Sequence, residues 1–437
     1  MPGQDRRHVP RPPRPPTTEL ASWRPSRDDG RMPGPHRLHL DCAATTPPLP
    51  AVVEAMARIQ RDQFGNPSSL HAFGPPARAL LEDAREFLRG TLGAARVVFT
   101  SGGSEADQLG VVGSALARSP GRVLMATSDH PALRNCTPLL ARLRHHVSLL
   151  PVTPYGDLAP ETLFEALGQD VRTVALMYGH NELGTLCQLR ELVELVRRAA
   201  PEAHVHVDLV QTYGTLPFDL DAFDVDSVAV SGHKFHGPRG AGFLALSSTA
   251  EVAPLLPAGG QEGGLRGGTE NVAAAVGLAL AAEHCLTHQA KHEARLRDIG
   301  DLLWARVRTA LPDCESLGHP TRHLPHILSL RLPSVNGQTL LLRCDARGLA
   351  FSTGAACHGA HGDGAADESG AKKATPDNPV LAAIGLDRAA SREVVRLSWS
   401  ADTSLADAEA AATILVEEAL RLRASAPRPA AFGSGAR

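Results

Sequence analysis

Lysine is almost missing from this sequence. Of 437 residues, 44 are lysine or arginine, and only Lys234, Lys291, Lys372 and Lys373 are lysines. Ala, Arg, Gly and Pro are abundant, the pattern of GC-rich coding in which arginine replaces lysine. A lysine that survives marks a position where a permanently charged, non-nucleophilic guanidinium would not serve. The search for a covalent lysine thus narrows to four residues. A basic excess is missing too: 47 acidic residues give a net charge of −3, which argues against a nucleic-acid partner needing phosphate neutralised. No run of 18 apolar residues occurs, so no transmembrane helix and no membrane partner is expected. The N-terminus has no apolar signal core. Seven cysteines, odd in number and widely spaced, make no disulfide framework, and the setting expected is the reducing cytoplasm. What is present is an ordinary globular balance, 43% apolar and 21% charged, which excludes a wholly disordered or collagen-like chain. The length suits roughly two or three domains.

Residues 1–37 carry nine prolines and eight arginines and read as a disordered tail, as do residues 425–437. A long loop is expected over Gly362–Asn378, which lacks apolar periodicity. Between the tails, short apolar strands alternate with helical stretches. Val97–Thr100, Val123–Ala126, Thr173–Met177, His204–Leu209 and Asp226–Val230 read as strands, the fourth with period two. This alternation implies an α/β fold with a mostly parallel sheet covered by helices on both faces. Ligands of such sheets sit outside the carboxyl ends of the strands, where the polar clusters of this chain fall. From about residue 290, a helix (Ala294–Leu311), strands His326–Leu332 and Leu349–Ser352, and a last helix (Leu405–Arg423) suggest a smaller α+β domain.

Four clusters carry chemistry. Thr100-Ser101-Gly102-Gly103-Ser104-Glu105 joins a strand to a helix, offering close backbone approach and helix N-terminal donors to a phosphate; an ordinary capped helix start reads equally well. Lys234 lies in Ser231-Gly232-His233-Lys234-Phe235-His236-Gly237-Pro238-Arg239-Gly240, just past a buried strand, where partial desolvation would free its amine for a Schiff base. The bland alternative, a solvated loop lysine, is weakened by the scarcity of lysine. Asp208 ends its strand and could hold a pyridine nitrogen protonated, with Gln211 near a phenolic oxygen, or could simply cap a turn. Cys357, in Phe351-Ser352-Thr353-Gly354-Ala355-Ala356-Cys357-His358, could be a nucleophilic thiolate. It could also be a small buried hydrophobe, or a zinc ligand with His358, His361 and Asp363. No second Cys/His pair completes that zinc site, so no metal is assigned.

The ordered series of motifs resembles one family. It runs through Ala44-Thr45-Thr46-Pro47, Gly65-Asn66-Pro67-Ser68-Ser69, Ser101-Gly102-Gly103-Ser104-Glu105, Asp129-His130 and Asn181-Glu182-Leu183-Gly184. It continues with Asp208-x-x-Gln211, Ser231-Gly232-His233-Lys234, Arg266-Gly267-Gly268-Thr269-Glu270-Asn271 and Arg396-Leu397-Ser398. From about Leu38 to Leu422 the chain is similar to the cysteine desulfurases and selenocysteine lyases, pyridoxal 5'-phosphate enzymes of the aspartate-aminotransferase fold. The resemblance implies a large cofactor-binding domain over 52–290 and a small domain from 38–51 and 291–424. It implies that Lys234 holds the cofactor covalently and moves the substrate Cα proton, with His130 stacked on the ring. Asp208 would pair with the ring nitrogen and Gln211 with the phenolic oxygen. Gly103, Ser104, Ser231 and His233 would hold the phosphate, joined by Thr269 from the second subunit of a homodimer. Asn181 and Arg396 would hold the substrate carboxylate. Cys357 would take the chalcogen of L-cysteine or L-selenocysteine, leaving L-alanine, and could pass it to an acceptor protein.

The chain departs from the family pattern in several places: Cys42-Ala43 in the opening motif, Asp107-Gln108 where two asparagines are usual, His180, Leu183, and Trp399-Ser400-Ala401 after Arg396. The run Ala355–Asp363 is nearer the selenocysteine lyases, and the segment after Asp363 resembles neither group. Cysteine desulfuration is the reading adopted, with selenocysteine lyase beside it. Other chemistry on the same cofactor, such as C–S β-elimination or transamination without Cys357, or a non-catalytic scaffold, are the remaining alternatives.

Overall fold

The computed structural model describes residues 37–256, 259–354 and 378–425. Strand β1 (Leu38–His39) is followed by helices α1 (Pro50–Asp62) and α2 (Gly74–Thr91), each with proline at its first turn, where the missing N–H is not needed. Then come β2 (Arg96–Thr100), α3 (Gly103–Leu116), β3 (Arg122–Ala126), β4 (His146–Leu150), β5 (Val171–Met177), β6 (His204–Asp208), β7 (Ser227–Ser231) and β8 (Gly242–Leu246). They form one seven-stranded sheet in the order β2-β8-β7-β6-β5-β3-β4. The run from β7 to β4 is parallel, while β8 is antiparallel to both its neighbours. The mostly parallel α/β sheet expected from the sequence is present.

Every residue of β6, β7 and β8 is buried. Period two in His204–Leu209 therefore separates two covered faces rather than core from solvent. One face carries Val205 and Val207 into the main apolar core; the other presents His206 to Asp107 of α3. Gly110 makes that contact possible, since a Cβ there would stand 2.3 Å from His206 Nδ1. Helix α4 (Val272–Thr287) is apolar all round and correspondingly buried along most of its length against α1 and α2.

A second core lies in the C-terminal part. Helix α5 (Gln289–Ala310) packs on the last helix, and a four-stranded antiparallel sheet pairs β9 (Glu315–Leu317), β10 (Ile327–Arg331), β12 (Ser352–Thr353) and β13 (Val394–Ser398) in the order β12-β13-β10-β9. Helices α6 (Gly337–Ala346) and α7 (Leu405–Ser425) cover it. The expected strand Leu349–Ser352 is two strands: β11 (Leu349–Ala350) pairs in parallel with β1, and after Phe351 the chain changes partner so that β12 joins β13. Leu38 and Leu40 bury in this second core, although they stand at the other end of the sequence. The loop expected over Gly362–Asn378 needs its end corrected. Asn378 is buried and caps the helix Pro379–Ala383, its Oδ1 accepting from the N–H groups of Val380 and Leu381 at 2.8 and 3.1 Å. Among the described residues, no helix is long and apolar enough to cross a membrane.

Candidate active site

The carboxyl ends of β5, β6 and β7 converge on one cavity of about 560 Å³. Lys234 enters it from the turn Gly232–Lys234, which directly follows β7. Its Nζ donates to the carbonyls of Ala43 and Ala44 at 2.6 and 2.9 Å. The segment supplying those carbonyls is itself locked to the lysine turn. Thr46 donates to the His233 carbonyl through its N–H at 2.8 Å and its hydroxyl at 3.0 Å, and that hydroxyl accepts from the His236 N–H at 2.8 Å. Gln211 Nε2 donates to the same Ala43 carbonyl at 3.0 Å. Burial, with the Lys234 and Arg239 cations beside it, pushes the His233 imidazole down to about 4, so it is neutral at neutral pH.

Gly103, Ser104, His130, Asn181, Asp208, Gln211, Ser231, His233 and Lys234 all line this cavity. Thr269 does not; it is exposed on the same chain. Its loop is tethered toward the cavity, because Arg266 Nε donates to Glu105 at 2.6 Å while the other Glu105 oxygen accepts the Ser101 N–H at 2.6 Å. Cys357, with His358, His361 and Asp363, lies outside the described residues. Thr45 and Arg239 also line the cavity; both stand inside motifs read from the sequence, but no role was attached to either.

The residues suit a phosphorylated pyridine. At one end, α3 opens into the cavity with its N-terminal donors, and Gly103 is required there: a Cβ would meet Val210 Cγ2 at 2.7 Å and Ser231 Cβ at 3.2 Å. At the other end, the buried Asp208 carboxyl accepts only one backbone bond among the contacts resolved, from Val210 N–H at 2.8 Å. Burial first, and the neighbouring Asp107 second, raise its pKa to about 8. Asp129, buried and accepting from Ala126 N–H at 2.7 Å, is raised to about 7, and Asp107 is raised well above the carboxylate range, in both cases chiefly by burial. A hydrogen-bonded chain backs this cluster: the Ser227 hydroxyl meets His204 Nε2 at 2.7 Å and His206 Nδ1 at 2.8 Å, and His206 Nε2 meets Asp107 at 3.2 Å. Three crowded carboxyls, whose burial outweighs the pull of Lys234 on Asp208 and of Arg134 on Asp129, form a pocket that favours a protonated ring nitrogen. Asp107, noticed in the sequence only as a departure, is a member.

A pH dependence follows. A carboxyl whose pKa is raised on folding loses its contribution to stability as pH rises toward that value. His180, His206, His233 and His326, lowered to about 3 to 4 by burial, act oppositely, but only up to their ordinary value of 6.5. Above that the carboxyls are unopposed. Cofactor-free protein is therefore expected to lose stability between pH 6.5 and 8, by up to about 2 kcal/mol for Asp208 at ~1.4 kcal/mol per pH unit. Urea unfolding across that range checks it; Asp208→Asn should flatten the slope, and an unchanged slope would contradict the assignment.

The loop after β5 brings Asn181 to the cavity. His180 holds that loop in shape: its Nδ1 accepts from the N–H of Glu182 at 3.1 Å, and Nε2 lies 3.2 Å from the Ser128 carbonyl. The neutral imidazole thus does at this position what a side-chain amide would do. Arg396, almost fully buried in the middle of the second sheet, reaches back to donate to the Asn181 carbonyl at 3.0 Å and to Asp41 at 2.9 Å. Sequence reading missed Asp41 as its partner. It also missed the buried Asn378–Glu182 contact at 2.7 Å. The amide of Asn378 donates to the Gly354 carbonyl as well, so the last residue described before position 355 and the first after 377 are joined beside Glu182. A lone asparagine at a loop end offers no signal for such a contact.

The sheet order, the lysine turn at the strand ends and the phosphate-sized cup on α3 define a class that sequence comparison makes explicit: the chain belongs to the class-V aminotransferase family, whose model matches residues 38–410, a family of enzymes that use pyridoxal 5'-phosphate. Its relatives are cysteine desulfurases. It is 37% identical over 400 residues to the IscS-like cysteine desulfurase of Mycobacterium tuberculosis, covering 89% of this chain and 98% of that protein. It is 35% identical over 324 residues to cysteine desulfurase IscS of Dictyoglomus turgidum, covering 73% and 82%. Among solved structures, a NifS-like protein superposes with a TM-score of 0.79 at 27% identity, covering 87% of this chain and 99% of that one.

Proposed function

We propose that this protein is a pyridoxal-phosphate-dependent cysteine desulfurase that removes sulfur from L-cysteine, gives L-alanine, and carries the sulfur as a persulfide on Cys357. The observation that carries the reading is the convergence of Lys234, Asp208 and the α3 N-terminus on one cavity, in a chain whose relatives bear that activity. The cofactor, when bound, supplies an electron sink for the bond-breaking at the amino acid's Cα.

The chain's own residues do the rest. Lys234 Nζ, at hydrogen-bond distance from two carbonyls, attaches the cofactor and afterwards moves the Cα proton. Asp208 holds a proton on the ring nitrogen, a role matched to a buried carboxyl whose pKa is raised to about 8. Gly103, Ser104, Ser231 and His233 hold the phosphate, and neutral His233 does so as a hydrogen-bond donor rather than a fixed cation. His130 Nδ1 accepts from the Ala132 N–H at 3.1 Å, which fixes its ring against the cavity and leaves Nε2 as the proton-bearing atom. Arg396 and Asn181 orient the substrate carboxylate, and Arg396 would exchange Asp41 for it. Residues 52–290 would form the cofactor domain, with 38–51 and 291–424 forming the small one. Thr269, exposed on its own chain yet tethered through Arg266, would complete the cavity of a second copy in a homodimer. An acceptor protein in the cytoplasm would take the sulfur.

Alanine release from L-cysteine and from L-selenocysteine, measured side by side, tests the proposal. L-cysteine is expected to give stoichiometric alanine with reductant present, and Cys357→Ala is expected to abolish it. Release from selenocysteine alone would make the protein a selenocysteine lyase instead. Unchanged alanine from the Cys357→Ala variant would point to β-elimination without that thiol.

A further inference from the structure

Helices α4 and α5 meet at one residue. Between Thr287 and Gln289, His288 takes φ −110° and ψ 10°, closing one helix and opening the next. In an unbroken helix, residues eight apart stand about 12 Å apart along the axis. Here the break turns the chain so that the rings of His284 and His292 are 5.6 Å apart, with His288 at 5.2 and 5.5 Å from them. One ligand atom from each of the three lies within 4.8 Å of the others. None of them lines the Lys234 cavity.

The orientation suits a cation better than it suits stacking alone. His288 Nδ1 lies 2.9 Å from the His284 carbonyl; a carbonyl can only accept, so Nδ1 is the donor and Nε2 is the nitrogen left to face a metal. That is the arrangement by which a backbone carbonyl fixes the tautomer of a metal-binding imidazole. His284 and His292 are half-buried, and burial first, with the neighbouring His288 ring, lowers both below the ordinary imidazole value. Asp402 and His236 are the other titratable groups that act on the pair, the first raising and the second lowering both.

We propose that His284, His288 and His292 form a binding site for a divalent transition ion of the zinc class, which clips α4 to α5. Three imidazole nitrogens select Zn²⁺, Co²⁺ or Ni²⁺ over Mg²⁺ and Ca²⁺, which prefer oxygen ligands. Metal–nitrogen bonds of about 2.0–2.1 Å need the rings to close by rotation about their side-chain bonds, and His288 is exposed. Water completes the coordination. Because α4 packs on the large core and α5 on the second, the ion would fix the angle between them. This site does not depend on the reaction assigned above.

The experiment uses the untagged full chain with cofactor bound, stripped of metal by chelator and titrated with Zn²⁺ in a calorimeter. One Zn²⁺ per chain and a rise in Tm are expected. His288→Ala, at an exposed position, should weaken that binding by at least about tenfold, and the His284→Ala/His292→Ala pair should abolish it together with the Tm rise. A Cys357→Ala/His358→Ala/His361→Ala variant should bind as the parent does. Three results would overturn the site: no saturable Zn²⁺ binding by the parent, full binding by both histidine variants, or loss of binding in the Cys357 variant.

Discussion

Replacing Lys234 with alanine is expected to leave a protein that retains no cofactor through gel filtration after borohydride reduction and that releases alanine at least about 10⁴-fold more slowly, since the loss of a positioned proton-transfer group alone accounts for 10²–10⁴. Lys234→Arg should be equally inactive, because guanidinium neither deprotonates nor attacks a carbonyl. The structure adds a check that separates chemistry from folding. Removing Nζ leaves the Ala43 carbonyl with Gln211 Nε2 as donor and the Ala44 carbonyl on an exposed residue that water reaches, so the loss should cost less than the ~1–3 kcal/mol of an unsatisfied buried group. Both variants should therefore keep a Tm near that of the cofactor-free parent while losing activity. Appreciable turnover in either variant would move the covalent role to Lys291, Lys372 or Lys373.

Arg396→Ala should raise KM for the amino acid far more than it lowers cofactor content. Truncating one member of a buried charge pair costs about 2–5 kcal/mol, roughly 30- to 5000-fold in kcat/KM. Part of that cost is internal to the protein, since Asp41 and the Asn181 carbonyl both lose their donor. Arg396→Lys is expected to fall between the two, because an ammonium restores charge without the planar fork that can meet a carboxylate with two bonds. Asp41→Asn separates the two contributions: freed from its carboxylate, Arg396 should hold substrate more tightly and lower KM. Equal KM values for the parent and Arg396→Ala would remove Arg396 from the substrate site.

The parts of this molecule that were legible in the sequence are those set by local pattern. The parallel strands announce themselves as short apolar runs, and their polar ends, from Ser101 to Lys234, fall on one cavity because parallel strands point one way. Lysine scarcity narrowed the search to four residues, and the glycine-flanked motif past a buried strand picked Lys234 out of them. Contacts made by residues remote in sequence were not legible. Asp41 gives no sign that it will meet Arg396, 355 positions later, and Asn378 reads as the end of a soft segment rather than as a buried clamp. His204 and His206 look like the outward members of a half-exposed strand. Only tertiary packing against α3 turns them into a buried chain ending on Asp107. The break between α4 and α5 was likewise hidden, since Thr287-His288-Gln289 carries neither proline nor glycine.

The carbonyls that hold the lysine have a consequence for synthesis. Ala43 leaves the ribosome 191 residues ahead of Lys234, and Leu38 precedes its strand partner Leu349 by still more. At about 5–20 residues per second, the opening segment waits on the order of 10–40 s for the lysine turn and 15–60 s for β11. The turn itself joins two neighbouring strands and can close as soon as β8 is made. The cavity wall carrying Lys234 therefore forms early, and the first-made segment of the described chain is among the last to dock.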